Sequence, residues 1–244
     1  MSQLTNNLLS IPRSRCKGNA TASRRILVAA HAWYGDVIGG SFRLASEFAV
    51  DLVKRGHDVH YVCCRPATDL RLPDADEIDG VKVHRYSPPV GCSSGLSRLR
   101  HHVGETRSRV CQLVKSQQFD AISGHSPLQF LGAVRGIDRN EVFSNYVVHS
   151  PFADEVLSNS TAGSPSLSTK LSAWVAGWVE RRNIRLADRV QTDSRYTLDR
   201  LSVEYPTVLE NKGVVAPGWV DAARFCPASD RGSLRRELGP PWIS

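Results

Sequence analysis

No apolar run in the sequence approaches a membrane span. The longest, such as residues 26–30, fall far short of the roughly 18 residues such a helix needs. No two of Cys16, Cys63, Cys64, Cys92, Cys111 and Cys226 are spaced C-x-x-C, which excludes the usual zinc and thioredoxin-like signatures. Free thiols in a reducing compartment are expected, with the adjacent Cys63 and Cys64 on opposite faces of a strand. No repeat, heptad or Gly-X-Y period occurs, so coiled coil, collagen and wholesale disorder are excluded. The first residues lack an apolar core of 7–15 residues, so no secretory signal is expected. There is no G-x-G-x-x-G and no P-loop. Gly124-His125-Ser126-Pro127-Leu128 lacks the second glycine of a nucleophile elbow, which argues against a hydrolase. Acid is missing from the first 25 residues altogether.

What is present is an ordinary globular composition: 244 residues, 41% hydrophobic and 23% charged. The net charge is +7, but Arg13, Arg15, Lys17, Arg24 and Arg25 put +5 into residues 1–25. The basic character is thus mostly a property of one end and is poor evidence for nucleic-acid binding. A flexible basic arm over residues 1–24 is expected, in preference to a transit peptide.

Order begins near Arg25. Residues 26–30 form an apolar run without alternation, the mark of a strand buried on both faces. After a polar loop, Phe42, Leu44, Ala45, Phe48, Ala49, Leu52 and Val53 recur at helical spacing, and Gly56 suits the position after the helix. Residues 57–64 read as the next strand. Further strands are expected at 81–86, 119–123, 146–148, 189–192 and 214–216, with the acidic stretch 74–79 as a loop. Helices are expected at 96–115, 128–134, 171–186 and 194–201. Strands alternating with helices predict an α/β fold with a Rossmann-like, doubly wound, mostly parallel sheet. Trp174 and Trp178, four apart on one helix face, read as core or as an interface. The basic helix at 96–115 reads as a solvated face, with a membrane surface as its alternative.

In such sheets ligands bind beyond the carboxyl ends of the strands. Gly39 and Gly40 open the first helix, where close backbone approach and unpaired N–H groups suit a phosphate, and Arg43 lies one turn on. His125 and His149 each follow a strand, placed to accept a proton or to bond a hydroxyl. Asp154 and Glu155 could orient His149 or bind sugar hydroxyls. Ser194 reads first as a helix N-cap and second as a ligand contact.

Five segments, in order, resemble the retaining glycosyltransferases of family 4. They are Arg25-Ile26-Leu27-Val28 with Gly39-Gly40 and Arg55-Gly56-His57-Asp58-Val59; Phe119-Asp120-Ala121-Ile122 running to His125; His149-Ser150-Pro151-Phe152-Ala153-Asp154-Glu155; Ala187-Asp188-Arg189-Val190 running to Ser194; and Pro217-Gly218-Trp219-Val220-Asp221 running to Phe225. In the last, Gly-Trp stands where the family usually has Asn-Gly. The resemblance implies the N-terminal, acceptor-side half of a GT-B fold. That means an arm at 1–24, a Rossmann-like domain at 25–228, and the start of an interdomain linker at 229–244.

The implied reaction is sugar transfer from a nucleotide-sugar donor to an acceptor hydroxyl, with no metal and no cofactor. Gly39, Gly40 and Arg43 would meet the donor phosphate. His149 and His125 would be catalytic. Asp154, Glu155 and Ser194 would face the acceptor. The donor-binding half has no counterpart in these residues, so the expectation is inactivity in isolation and a second chain as a candidate partner. A cytoplasmic location is expected, with peripheral contact at the inner membrane face as a further candidate. The alternatives are a non-catalytic sugar- or partner-binding module and, last, a nucleic-acid binder using the arm.

Overall fold

The computed structural model describes residues 22–92, 94–158, 166–209, 211–218 and 232. The expected arm lies outside them except for its last three residues. So do the expected linker, Gly232 apart, and most of the segment at 217–225.

The elements run β1 (Arg25–Ala29), α1 (Gly40–Lys54), β2 (Asp58–Cys64), β3 (Ala75–Ile78), β4 (Val81–Tyr86), α2 (Gly95–Val114), β5 (Ala121–Gly124), α3 (Pro127–Val134), β6 (Phe143–Val148), α4 (Phe152–Ser158), α5 (Leu167–Leu186), β7 (Arg189–Thr192), α6 (Arg195–Glu204), α7 (Pro206–Leu209) and β8 (Gly213–Val215). They build one sheet in the order β3-β4-β2-β1-β5-β6-β7-β8. Every pairing is parallel except β3 with β4. From β1 the chain winds outward to β2 on one side and to β5 on the other, so the topological switch point lies between β1 and β5.

The period of two in the strands sorts the core into layers. Ile26, Val28, Val59, Tyr61 and Cys63 pack under Ala45, Phe48, Ala49 and Leu52 of α1. Leu27, Ala29, Val62 and Cys64 face the other way, onto Val110 of α2 and Ala133 of α3. Cys63 and Cys64 therefore point apart, and both are free thiols. A third cluster joins β6 and β7 to α3, α5 and α6 through Phe130, Tyr146, Val179, Ile184 and Leu201. Gly56 holds φ 85° just past α1, as expected for a left-handed helix stop.

Two expectations need correction. The acidic stretch at 74–79 is not all loop, because residues 75–78 form the antiparallel edge strand β3. Its side chains are mostly exposed, so no apolar alternation marks it, and Glu77 sits opposite Lys82 across the pair. Trp174 and Trp178 are not core: they are 69% and 51% exposed, on the face of α5 turned away from the sheet.

Candidate active site

Three histidines follow three neighbouring strands on one side of the sheet: His31 after β1, His125 after β5 and His149 after β6. Asp193 follows β7, the next strand. The three histidines line a cavity of about 310 Å³, with Ser41, Phe42, Gln129, Phe152 and Glu155 in its wall. This is the carboxyl-end crevice at the switch point that the topology dictates.

His149 Nδ1 lies 2.6 Å from Asp193 Oδ2. The carboxylate fixes the proton on Nδ1, which leaves Nε2 as the acceptor. That Nε2 is buried and has no hydrogen-bond partner among the described residues. His125 packs its ring 5.7 Å from that of His149 and 5.3 Å from Phe48. Its Nε2 is 3.2 Å from Ser123 Oγ, and its Nδ1 is likewise buried and without a partner among the described residues. Burial, reinforced by His149, pushes the His125 pKa well down, so its imidazole is neutral at physiological pH. The site thus pairs a neutral imidazole with one backed by a carboxylate.

A polar chain braces the other wall. Gln129 Nε2 donates to Tyr86 Oη at 2.7 Å, and Tyr86 Oη meets His102 Nδ1 at 3.1 Å. Gln129 Nε2 also lies 3.4 Å from His31 Nδ1. Burial lowers the pKa of His31 and takes that of His102 down to about 4, with His31 and His101 adding to the latter. Ser126, which the nucleophile-elbow comparison singled out, accepts the His31 backbone N–H at 3.0 Å and so ties two strand ends together.

The first turn of α1 reaches the same cavity through Ser41 and Phe42. Arg43 N–H to Gly39 O is the first bond of the helix, so the N–H groups of residues 40–42 have no intrahelical partner. Gly39 is needed for space, since a Cβ there would come within 2.8 Å of the Phe42 ring. Gly40 has open space around it, and neither glycine is part of the cavity wall.

A family model for glycosyltransferase family 4 matches residues 38–224. The chain belongs to glycosyltransferase family 4. The fold agrees with solved GT-B glycosyltransferases. Sucrose-phosphate synthase of Thermosynechococcus elongatus superposes with a TM-score of 0.66 at 14% identity, over 90% of this chain and 53% of that one. Anabaena HepE, solved with UDP and glucose, superposes with a TM-score of 0.53 at 15% identity, over 88% of this chain and 50% of that one. The chain spans about half the length of these proteins. No curated protein sequence matches significantly.

In this family 4 chain the structure brings His125, His149 and Glu155 into one cavity. The other five expected residues stand elsewhere. Arg43 is ion-paired with Glu47 at 2.7 Å, with its guanidinium 6.0 Å from the Tyr34 ring. Asp154 is paired with Arg200 at 3.3 Å. Ser194 spends its hydroxyl as the N-cap of α6, 3.1 Å from Thr197 N. Gly39 and Gly40 shape the entry to α1. The sequence reading gave no role to His31, Gln129 or Asp193. The strand-end argument that found His125 and His149 also covers His31 and Asp193, and Gln129 becomes visible only once α3 is packed. No group of three or more His, Cys, Asp or Glu side chains among the described residues could hold a metal ion.

Proposed function

We propose that this chain is the acceptor-side domain of a glycosyltransferase that moves a sugar from a nucleotide-sugar to an acceptor hydroxyl. The observation that carries the reading is the pair His149 and His125 in the strand-end cavity, each with an imidazole nitrogen unpartnered among the described residues. His149, backed by Asp193, takes the reacting hydroxyl as hydrogen-bond acceptor, and the carboxylate stabilises positive charge developing on the ring. His125 stays neutral and orients a sugar hydroxyl or phosphate oxygen. The N–H groups at the start of α1, reached through the Gly39-Gly40 entry, receive the donor phosphate. Glu155 bonds acceptor hydroxyls at the rim. Asp154, Arg43 and Ser194 serve these groups indirectly, by holding α4, α1 and α6. The UDP and glucose of the Anabaena protein support a nucleotide-sugar as donor. A cytoplasmic location is part of the same proposal.

Leaving-group stabilisation needs donors aimed at the charge that develops on the diphosphate, and the family resemblance assigns most of them to the donor-binding half. The 244 residues alone are therefore expected to release no nucleoside diphosphate from any nucleotide-sugar. Transfer is expected once a donor-binding half is supplied, in the same chain or in another. In that completed enzyme His149→Ala should lower kcat by about 100-fold or more. Turnover by the 244 residues alone, or a completed enzyme indifferent to His149→Ala, would contradict the proposal.

A further inference from the structure

Helix α5 is apolar on two opposite faces. Ala173, Ala176, Val179, Ile184 and Leu186 are buried, the last three in the cluster with β6 and β7. Leu167, Leu171, Trp174 and Trp178 fall at intervals of four, three and four, which is a single stripe on a helix. All four are exposed, at 86%, 62%, 69% and 51%. At about 100° per residue the stripe points directly away from the buried face. Arg185, seven residues past Trp178, continues the same line, and Arg181, Arg182 and Lys170 flank it. These four cations belong to exposed residues, while the one acid of α5, Glu180, is fully buried.

We infer that this face of α5 docks on an anionic lipid bilayer. Four large apolar side chains over three turns match an interfacial helix lying in the plane of the surface, and tryptophan favours the boundary where one end is apolar and the other wet. The cations of α5 complement anionic headgroups and would be indifferent to neutral ones, while the exposed Glu204 lies beside Gly177, to one side of the stripe. Helix α2, the basic segment the sequence offers first for such a role, has the charge without the stripe. Of its apolar residues Leu96 is markedly exposed at 51%, His102, Val103 and Val110 are buried, and Arg109 is turned to the Arg85 carbonyl at 2.9 Å. No described helix is long and apolar enough to cross a membrane, so the association is peripheral. On its opposite, buried face α5 touches the cavity wall: Glu180 accepts the Phe152 N–H at 3.0 Å and so holds the start of α4, whose Phe152 and Glu155 line the cavity.

The test is sedimentation of the 244-residue chain with vesicles of phosphatidylcholine, alone or mixed with phosphatidylglycerol to give an anionic surface. The expected result is partitioning at least tenfold stronger into the anionic vesicles, weakened by salt. Trp174→Ser with Trp178→Ser should lower it tenfold or more. Arg182→Gln with Arg185→Gln should remove much of the salt-sensitive part. All four side chains are exposed, so the variants should keep the parent melting temperature. Two results overturn the inference. Binding that survives the double tryptophan change assigns the lipid contact to another surface, such as the basic residues 1–25. Absence of vesicle binding does so too, including the case in which the tryptophan change converts a dimer to a monomer and the stripe proves to be a contact between two copies.

Discussion

Arg85→Ala should be the most damaging single substitution outside the cavity. The Arg85 side chain is 1% exposed and that of its partner Asp36 is 6% exposed. The contact is bidentate, with Nε 2.6 Å from Oδ2 and Nη2 3.0 Å from Oδ1. Nη1 reaches the Pro73 carbonyl at 3.4 Å and Asp76 at 3.5 Å. Truncation leaves the Asp36 carboxylate buried without its counter-ion, which costs about 3–5 kcal/mol. In a domain of this size that is a fall in Tm of roughly 6–20 °C. The cost lies in the orphaned charge rather than in the pair, so removing both charges is the informative control. Arg85→Met with Asp36→Leu should recover most of the loss. Arg85→Lys should fall between, because an ammonium cannot make the fork. The pair matters to the site as well. Asp36 belongs to the turn after β1, where its N–H bonds Trp33 O and Trp33 packs edge-on against Tyr61. That turn leads into Gly39 and the Phe42 wall. Thermal and urea unfolding of the four proteins decide the matter. A loss below about 1 kcal/mol for Arg85→Ala would show that water reaches the pair.

Acid should unfold the protein through its histidines before its carboxylates. Burial takes His60 and His84 down to about 4 each, with His84 adding to the effect on His60 and Arg109 and Lys82 to that on His84. His102 also falls to about 4, chiefly through burial. In the unfolded chain these groups take up protons near pH 6.5, whereas in the fold they resist until about 4. The unfolded state therefore binds more protons across that window, and stability falls as pH drops from about 6.5 to about 4. For a buried group such as His60 or His102 the full cost is on the order of 3 kcal/mol. Glu180 works the other way. Burial, with Glu204 and Asp154 nearby, raises it to about 7 against the Phe152 hydrogen bond. Its fold-bound proton makes it favour the folded state as pH falls from about 7 to about 4.5, which offsets about one histidine. Asp58 acts later. Burial raises it, but hydrogen bonds from Lys82 and Arg25 prevail and hold it at about 2, so its contribution is lost only between about pH 4 and 2. The net expectation is a protein roughly 3 kcal/mol less stable at pH 5 than at pH 7.5. Melting curves across that range check it. A Tm that stays flat or rises on acidification would mean that Glu180 outweighs the histidines.

The parts of the fold legible in the sequence are those where burial wrote a pattern. The doubly buried strand β1, the apolar stripe of α1 and the αL stop at Gly56 are readable because packing on the sheet requires them. Strand β3 was not, since an exposed edge imposes no apolar alternation. Its signal was the turn instead: Asp79 and Gly80 hold φ 52° and 78°, the conformation that an Asp-Gly pair favours between antiparallel strands. Trp174 and Trp178 mislead for a related reason, because a helical stripe says which residues share a face and not what that face meets. At the site, the strand-end rule places His125 and His149 from the sequence alone. Partners remote in sequence were beyond it. The bond from His149 to Asp193 spans 44 positions, and that from Gln129 to Tyr86 spans 43. The roles first read for Arg43, Asp154 and Ser194 met nearer competitors in Glu47, Arg200 and the Thr197 N–H, which local sequence order alone does not rank.

The central claim is that the strand-end cavity receives a nucleotide-sugar and its acceptor around His149 and His125. Imidazole NMR of the chain's eight histidines, during titration with a panel of nucleotide-sugars, tests it most directly. The account predicts that the His149 and His125 resonances move together with at least one donor, that His60 and His84 stay fixed, and that His149→Ala removes the response. Resonances that all stay fixed at millimolar donor, or movement confined to His60 and His84, would contradict it.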